Sequence, residues 1–207
     1  MIIERYAFHE RICHWFTGLV YSYCLATGLA FYSPYLFWIA IALGGGPVSR
    51  FWHPFVGLGF VVGVSWMHHI WRADMTIKGN DREWLRKAGD YATNCDSAVP
   101  EEDRFNAGQK LFYWAMFYGA LLLLLSGAVM WFPEYLPAGM RWARGVAILV
   151  HESAALITIG AFIIHLYMGI FMVPGSVRAI TLGSVTDNWA KAHHRLWFDR
   201  ITSKQKS

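Results

Sequence analysis

The chain has 207 residues, of which 56% are hydrophobic, 17% are aromatic and only 15% are charged. So few charged side chains cannot coat a water-soluble globule of this size. Although the net charge is +4, we expect no nucleic-acid partner. Most charged residues lie in residues 72–110 and 174–207, and long stretches elsewhere have almost none. This distribution is typical of membrane spans separated by loops.

The cysteines, Cys13, Cys24 and Cys95, form neither a C-x-x-C nor a C-x-x-C-H motif. The sequence therefore encodes neither a zinc ribbon nor a covalently attached c-type haem. The first apolar run follows Glu10 and Arg11, is too long for a signal-peptide core and has no A-x-A site, so we expect a retained span. Because no Ser/Gly tract interrupts the chain, we expect a single membrane domain over 1–207.

Four stretches are long and apolar enough for the about 20 residues that a helix needs to cross a bilayer. They are residues 12–32, 52–72, 111–132 and 147–172. Pro34 disfavours helix at Ser33 and so separates the first span from residues 34–43, where Trp38 suits the membrane interface. The sequence thus predicts an all-α, integral membrane four-helix bundle that contacts membrane lipids.

The distribution of basic residues predicts the orientation. Four crossings put both termini on one side of the membrane. Of the 18 Lys and Arg residues, only Arg50, Arg141 and Arg144 fall in the two loops on the opposite side. By the positive-inside rule, both termini are predicted to be cytoplasmic.

Four of the nine histidines lie within or at the edges of these spans, where a polar side chain is costly without a partner: His14, His53, His151 and His165. His14 and His165 share the cytoplasmic leaflet, and His53 and His151 share the outer one. The fourteen-residue separation of His151 and His165 corresponds to roughly 21 Å and a net turn of about −40° along a helix. Both imidazoles therefore face the same way, which predicts two bis-histidine haem sites stacked along the membrane normal.

A small residue follows each of these histidines by one helical turn, namely Gly18, Gly57, Ala155 and Gly169. Since side chains at i and i+4 overlie one another, small residues there give clearance for a flat porphyrin. Alternatively, they only let helices pack closely. The histidines themselves could instead bond separately to backbone carbonyls, or form a zinc or di-metal site, although no carboxylate or cysteine accompanies the pairs.

A bis-histidine haem has no open coordination position, so it transfers electrons and does not bind a substrate. Each imidazole should donate its second N–H to a carbonyl or hydroxyl oxygen, which the sequence does not identify. The other histidine pairs, His68-His69 and His193-His194, have no partner at matching depth. We interpret them as surface residues in preference to proton relays.

Over nearly its whole length the chain resembles the cytochrome b (gamma) subunits of respiratory, membrane-bound formate dehydrogenases. Related cytochromes b, including the membrane subunits of nickel–iron hydrogenases, share the histidines more than the Asn-Ala-Gly-Gln-Lys segment. The resemblance implies the same axial pairs that the matching depths in the membrane predict. They are His53 with His151 and His14 with His165, and each pair would hold one haem b. The segments that carry it are Arg11–Trp15, Trp52–Phe55, Phe105–Lys110, His151, Ile164–Tyr167 and Trp189–Arg195.

The resemblance also implies a quinone pocket. Asn106, Gly108 and Gln109 would line a site for menaquinone or ubiquinone beside the cytoplasmic haem. Asn106 also suits the N-cap of the third span. Both roles are compatible, because a helix start offers free N–H groups to a quinone carbonyl.

The function implied is electron transfer in a bacterial inner membrane. An iron–sulfur (beta) subunit would dock on the periplasmic face near residues 44–50 and 133–146 and link the chain to a molybdenum or tungsten catalytic (alpha) subunit. The chain itself would carry no catalytic residue for formate. Two alternatives stay open: the cytochrome b of a nickel–iron hydrogenase or other quinone-linked oxidoreductase, and a haem-free transporter or assembly anchor.

Overall fold

The computed structural model describes residues 1–92 and 99–204 and is almost entirely helical, which confirms the predicted all-α fold. Cys95 lies outside the described residues. Two three-residue strands, β1 Ile2–Glu4 and β2 Ser184–Thr186, were not predicted. The α-helices of the described residues are α1 Phe8–Tyr32, α2 Phe37–Ala42, α3 Gly46–Trp71, α4 Gly79–Arg86, α5 Ala88–Ala92, α6 Ala107–Trp131, α7 Trp142–Tyr167, α8 Ser176–Leu182, α9 Asp187–His193 and α10 Arg195–Lys204.

Helices α1, α3, α6 and α7 have 25 or 26 residues each. At 1.5 Å per residue each is about 38 Å long, which exceeds the hydrocarbon thickness of about 30 Å. By length and composition, Ala107–Trp131 and Ala138–Met172 are candidate membrane spans. Apolar side chains midway along the four helices are 61% to 68% exposed, as lipid-facing residues would be: Leu19, Val62, Leu125, Leu149 and Ile157.

The helix ends agree with the sequence where proline fixes them. Ser33 is extended (φ −134°, ψ 128°) and Pro34 opens a 3-10 turn, so α1 ends as predicted. Helix α3 begins earlier than residue 52, because Gly44 and Gly45 both have φ of +99° and turn the chain directly before it. Helix α7 likewise begins before residue 147, and a π-helix, Met168–Met172, follows it to the predicted end of the span.

The chain divides into two compact units. We call Met1–Ile12, His69–Trp114 and Phe162–Ser207 the terminal unit, and Cys13–His68 and Ala115–Ala161 the central unit.

In the central unit, small residues bring helices close together. A Cβ added at Gly63 of α3 would overlap the hydroxyl of Thr17 on α1, and one added at Gly119 of α6 would overlap the methyl of Thr158 on α7. Glycines at these crossings therefore allow α1 to pack on α3, and α6 on α7.

In the terminal unit, segments far apart in sequence are joined by strand pairing and by an ion pair. Strand β1 runs antiparallel to β2, with Ile3 opposite Val185. Arg104 donates to Glu10 at 2.7 Å, and the indole N–H of Trp71 donates to the same carboxylate at 2.5 Å. Burial alone would raise the pKa of Glu10, but these hydrogen bonds, with one from the Ala7 N–H and the Arg104 charge, lower it.

His194 is buried, so its interpretation as a surface residue is wrong. Arg5, itself buried with its guanidinium 4.6 Å from the Trp197 ring centre, lies 3.1 Å from His194 Nε2. Since arginine can only donate, Nε2 accepts and the Nδ1–H donates to the Asp103 carbonyl at 2.7 Å. Burial and the Arg5 charge hold the pKa of His194 well below its ordinary value, so the ring is neutral.

The other three histidines of these pairs differ in exposure. His69 is exposed, as interpreted, while His68 and His193 are half-buried. The His68 ring stacks on Phe117 with centroids 4.5 Å apart.

Candidate functional site

The imidazoles of His53 on α3 and His151 on α7 face each other within the central unit. Their ring centroids are 6.3 Å apart, with an interplanar angle of 58°. With metal–nitrogen bonds of about 2.0 Å, two imidazoles on opposite sides of one metal ion have centroids about 6 Å apart. The observed spacing therefore fits one iron between the two rings.

A hydroxyl on α1 fixes the tautomer of His53. Thr27 Oγ1 lies 2.7 Å from His53 Nδ1 and 2.9 Å from the Tyr23 carbonyl oxygen. Because the hydroxyl has one proton and the carbonyl can only accept, the hydroxyl donates to Tyr23 and accepts from the Nδ1–H of His53. The other ring nitrogen, Nε2, is then unprotonated and able to ligate a metal.

A serine on α6 does the same for His151. Ser126 Oγ lies 3.0 Å from His151 Nδ1 and donates to the Leu122 carbonyl at 2.6 Å. All four long helices thus contribute to one site, two with imidazoles and two with hydroxyls. These hydroxyls are the acceptors that ligation requires and that the sequence did not identify.

A glycine follows each hydroxyl residue and lies beside the imidazole that the hydroxyl holds. A Cβ added at Gly28 would lie 3.8 Å from His53 Cε1, and one added at Gly127 would lie 3.4 Å from His151 Cε1. The Thr27-Gly28 and Ser126-Gly127 pairs are thus equivalent halves of one cradle. The side chain of the first residue binds the imidazole, and a Cβ added at the second would be in ordinary van der Waals contact with it.

The glycines one turn after the histidines have a different environment from those at the helix crossings. At Gly18, Gly57 and Gly169, an added Cβ would have no heavy atom of another described segment within 4 Å. At Gly63 and Gly119, by contrast, an added Cβ would overlap a side chain of a neighbouring helix. Close helix packing therefore does not account for the first three, and their proposed role in giving clearance beside the imidazoles stays a prediction.

The other two histidines belong to different units, so their pairing stays a prediction. His14, in the central unit, meets the Trp15 ring edge-on with centroids 5.5 Å apart. His165, in the terminal unit, stacks on Phe112 of α6 with centroids 4.3 Å apart and planes at 4°. The Phe112 ring therefore sets the plane of the His165 imidazole.

Asn106 caps α6 through a reciprocal pair of hydrogen bonds. The backbone N–H of Gln109 donates to Asn106 Oδ1 at 2.8 Å, and the backbone N–H of Asn106 donates to Gln109 Oε1 at 3.0 Å. The predicted capping role is thus confirmed. Because these bonds use the side-chain carbonyls, both amide NH2 groups can still donate to a ligand.

Helix α4 covers the start of α6. A Cβ added at Gly108 would lie 3.2 Å from Trp84 of α4, so glycine lets the indole approach. Lys110 donates to both carboxylate oxygens of Asp81 at 2.8 Å, and both residues are buried. Asp81 also accepts from the Lys78 N–H at 2.5 Å, which caps α4.

Comparison with known proteins identifies the family. The family model for prokaryotic cytochrome b561 matches residues 5–183. The cytochrome b556(Fdn) subunit of the nitrate-inducible formate dehydrogenase of Escherichia coli (strain K12) is 30% identical over 203 residues, 97% of this chain and 92% of that protein. The cytochrome b556(fdo) subunit of formate dehydrogenase from the same strain is 31% identical over 208 residues, 99% of this chain and 97% of that protein.

A third relative, the cytochrome b556 subunit of formate dehydrogenase from Haemophilus influenzae, is 30% identical over 206 residues, 98% of this chain and 85% of that protein. The resemblance predicted from the motifs is confirmed. The chain therefore belongs to the prokaryotic cytochrome b561 family of haem b membrane proteins, where it groups with the cytochrome b556 subunits of formate dehydrogenases.

Proposed function

We propose that the chain anchors a formate dehydrogenase in the membrane and conducts electrons from its periplasmic iron–sulfur subunit to quinone on the cytoplasmic side. The observation that carries the proposal is the facing pair of imidazoles, His53 and His151, with their Nδ1 atoms held by Thr27 and Ser126. Haem b held by two histidines supplies single-electron transfer and offers no position to a substrate.

Four imidazoles would serve as metal ligands for two haems b. His53 and His151 would hold the one near the periplasm, and His14 and His165 the one near the cytoplasm. The hydroxyls of the first pair keep the proton on Nδ1 and so keep Nε2 available.

Menaquinone or ubiquinone would be reduced at the start of α6. Asn106, Gly108 and Gln109 belong to the first turn, where side-chain amides and backbone N–H groups can donate to a quinone carbonyl oxygen. We assign no formate chemistry to this chain.

The arrangement of the terminal unit supports four spans with both termini in the cytoplasm of a bacterial cell. It gathers the first twelve residues, the connection between α3 and α6, and the C-terminal segment, as an even number of crossings requires. It also contains all but three of the 18 Lys and Arg residues, which the positive-inside rule places in the cytoplasm.

The partner surface would lie around residues 44–50 and 133–146. There a concavity of about 380 Å³ is lined by Pro133, Glu134, Leu136, Arg141 and Arg144. The iron–sulfur (beta) subunit would dock here and connect the chain to the molybdenum or tungsten catalytic (alpha) subunit. The printed names of the relatives, which are subunits of formate dehydrogenase, support this partner.

The test is the haem content of the purified chain, measured by pyridine haemochrome and by reduced-minus-oxidised spectra. We expect two haems b per chain, and none would leave only the transporter or anchor alternative. His165→Ala should lose the cytoplasmic haem and quinone reduction and keep part of the other haem. Retention of both haems in that variant would contradict the ligand assignment.

Extraction in mild detergent tests the partner. We expect iron–sulfur and catalytic subunits of a formate dehydrogenase to remain attached to the chain. Recovery of hydrogenase subunits instead would overturn the partner assignment and leave the haem sites in place.

A further inference from the structure

Glu102 is a buried acid in the terminal unit, shortly before the start of α6. It is 7% exposed, and its Oε1 has no hydrogen-bond partner among the described residues. Its backbone carbonyl accepts from the Leu196 N–H at 3.0 Å, which attaches this segment to α10. A carboxyl oxygen enclosed without a donor favours the protonated acid over the carboxylate.

The charged groups facing Glu102 are Asp81 of α4, Lys110 of α6 and its neighbour Asp103. Lys110 is committed to Asp81 by two bonds of 2.8 Å, so it offsets that carboxylate and does not neutralise Glu102. Asp103 is paired with Arg200 at 2.8 Å. Burial, then Asp81 and Asp103, raise the pKa of Glu102 to about 7 against the opposing effect of Lys110.

Glu102 is linked to the start of α6, where the candidate quinone site lies, through Lys110, whose charge acts on it. Glu102 precedes Asn106 by four residues of non-helical chain, and Lys110 directly follows Gln109. The proton donor best suited to a reaction has a pKa near the working pH, because it is then both protonated and ready to release its proton. The raised pKa of Glu102 meets this condition.

We propose that Glu102 supplies one of the two protons that quinone takes up when it is reduced to quinol. The proposal rests on the function proposed above. One quinone carbonyl oxygen gains an O–H bond as the carboxyl O–H of Glu102 breaks, and the resulting carboxylate takes its replacement proton from cytoplasmic water. The second proton comes from the same water, and the two electrons come from formate oxidation in the catalytic subunit.

The test uses the intact complex and decylubiquinone. Haem is first reduced with formate, and its reoxidation by decylubiquinone is followed in stopped flow from about pH 5.5 to about pH 9. For the wild type we expect the rate to fall with pH above about 7. Glu102→Gln should remove this inflection and slow reoxidation at neutral pH by about 10²-fold, and should leave haem reduction by formate unchanged.

Glu101→Gln is the matched control, because Glu101 is the neighbouring acid and is exposed. It should retain the wild-type profile. Glu102→Asp keeps a carboxyl group and should retain an inflection at a lower rate. If the complex with Glu102→Gln does not assemble, Glu102→Asp is tested in its place. A pH profile of Glu102→Asp identical to wild type in rate and inflection would then overturn the proposal.

Infrared difference spectroscopy of quinone reduction gives a second readout that a merely structural role would not change. In a time-resolved measurement near neutral pH, the wild type should show a transient loss of a protonated carboxyl C=O band that recovers as water reprotonates Glu102, and Glu102→Gln should not. An unchanged pH profile in Glu102→Gln, or the same carboxyl band in both proteins, would overturn the proposal. Failure of wild-type haem to be reoxidised by decylubiquinone would instead overturn the proposed quinone reduction.

Discussion

The two hydroxyls that hold His53 and His151 should set the properties of the haem that we assign to those residues. Thr27→Val and Ser126→Ala each remove the acceptor of an Nδ1–H. The imidazole then becomes a less basic ligand, so we expect about 10-fold to 100-fold weaker haem binding and a higher midpoint potential. Potentiometric titration and haem content measure both effects.

Thr158→Val is the control for this pair. It also removes a buried hydroxyl, but that hydroxyl donates to the Ala155 carbonyl at 2.9 Å and holds no imidazole. If Thr27→Val, Ser126→Ala and Thr158→Val all have the wild-type potential, the hydroxyls do not tune the ligands.

Glu102 should also make stability depend on pH. Its pKa is about 7 in the folded protein and near 4.5 when exposed, so the folded state holds the proton more tightly. The stabilisation from the protonated acid is present below about pH 4.5 and is lost as the pH rises through about 7. Glu102→Gln should therefore raise the melting temperature in detergent at about pH 8 and change it little at about pH 5.

Glu101→Gln again serves for comparison, because Glu101 is exposed in the folded protein. A melting temperature of Glu102→Gln that differs from wild type equally at both pH values would show that the charge of Glu102 is not the cause.

At the scale of elements, the crossing of α1 and α3 depends on Gly63. A methyl group there would overlap the Thr17 hydroxyl and lie 3.3 Å from the Thr17 Cα, which is backbone and cannot rotate away. Gly63→Ala should therefore destabilise the protein by about 1–3 kcal/mol, even though alanine favours helix. Heat-induced loss of haem absorbance measures the change.

Gly59→Ala is the control on the same helix, one turn away. Its added methyl would lie 3.6 Å from Val20, which is an ordinary van der Waals contact. We expect it to be neutral or slightly stabilising. Equal loss of stability in Gly63→Ala and Gly59→Ala would mean that α3 does not tolerate alanine generally, and that the Thr17 contact is not the cause.

At this scale the sequence could predict the features that follow from regular helix geometry. The starts of the predicted spans were enough to match the depths of His53 and His151, and Pro34 was enough to end α1. The cradle was not predicted, because Thr27 and Ser126 lie on other helices and hydroxyls in membrane helices usually bond to their own backbone. A search for hydroxyls at the depth of each histidine would have found both.

Elements that depend on distant partners were also missed. Helix α4 is polar and short. It belongs to the candidate site only because Trp84 approaches Gly108 and Asp81 accepts from Lys110. The burial of His194 depends on Arg5, at the other end of the chain. The local sequence pattern contains no information about such contacts between distant residues.

At the scale of the whole molecule, the proposed quinone site in the terminal unit predicts the direction of charge movement. Asn106, Gln109 and Glu102 belong to the same unit as both termini, whereas His53 and His151 belong to the central unit with the proposed partner loops. If electrons enter from the periplasm and protons come from the cytoplasm, each turnover separates charge across the membrane.

The intact complex in liposomes should therefore generate a membrane potential with formate and decylubiquinone. External formate selects complexes whose catalytic subunit faces outward, so in the proposed topology both termini would face the lumen and the protons for quinol formation would come from there. A pH dye trapped in the lumen should report alkalinisation that a protonophore abolishes, and His165→Ala should give none. Alkalinisation of the external medium with an unchanged lumen would place proton uptake on the partner side, and the cytoplasmic quinone site would then be wrong.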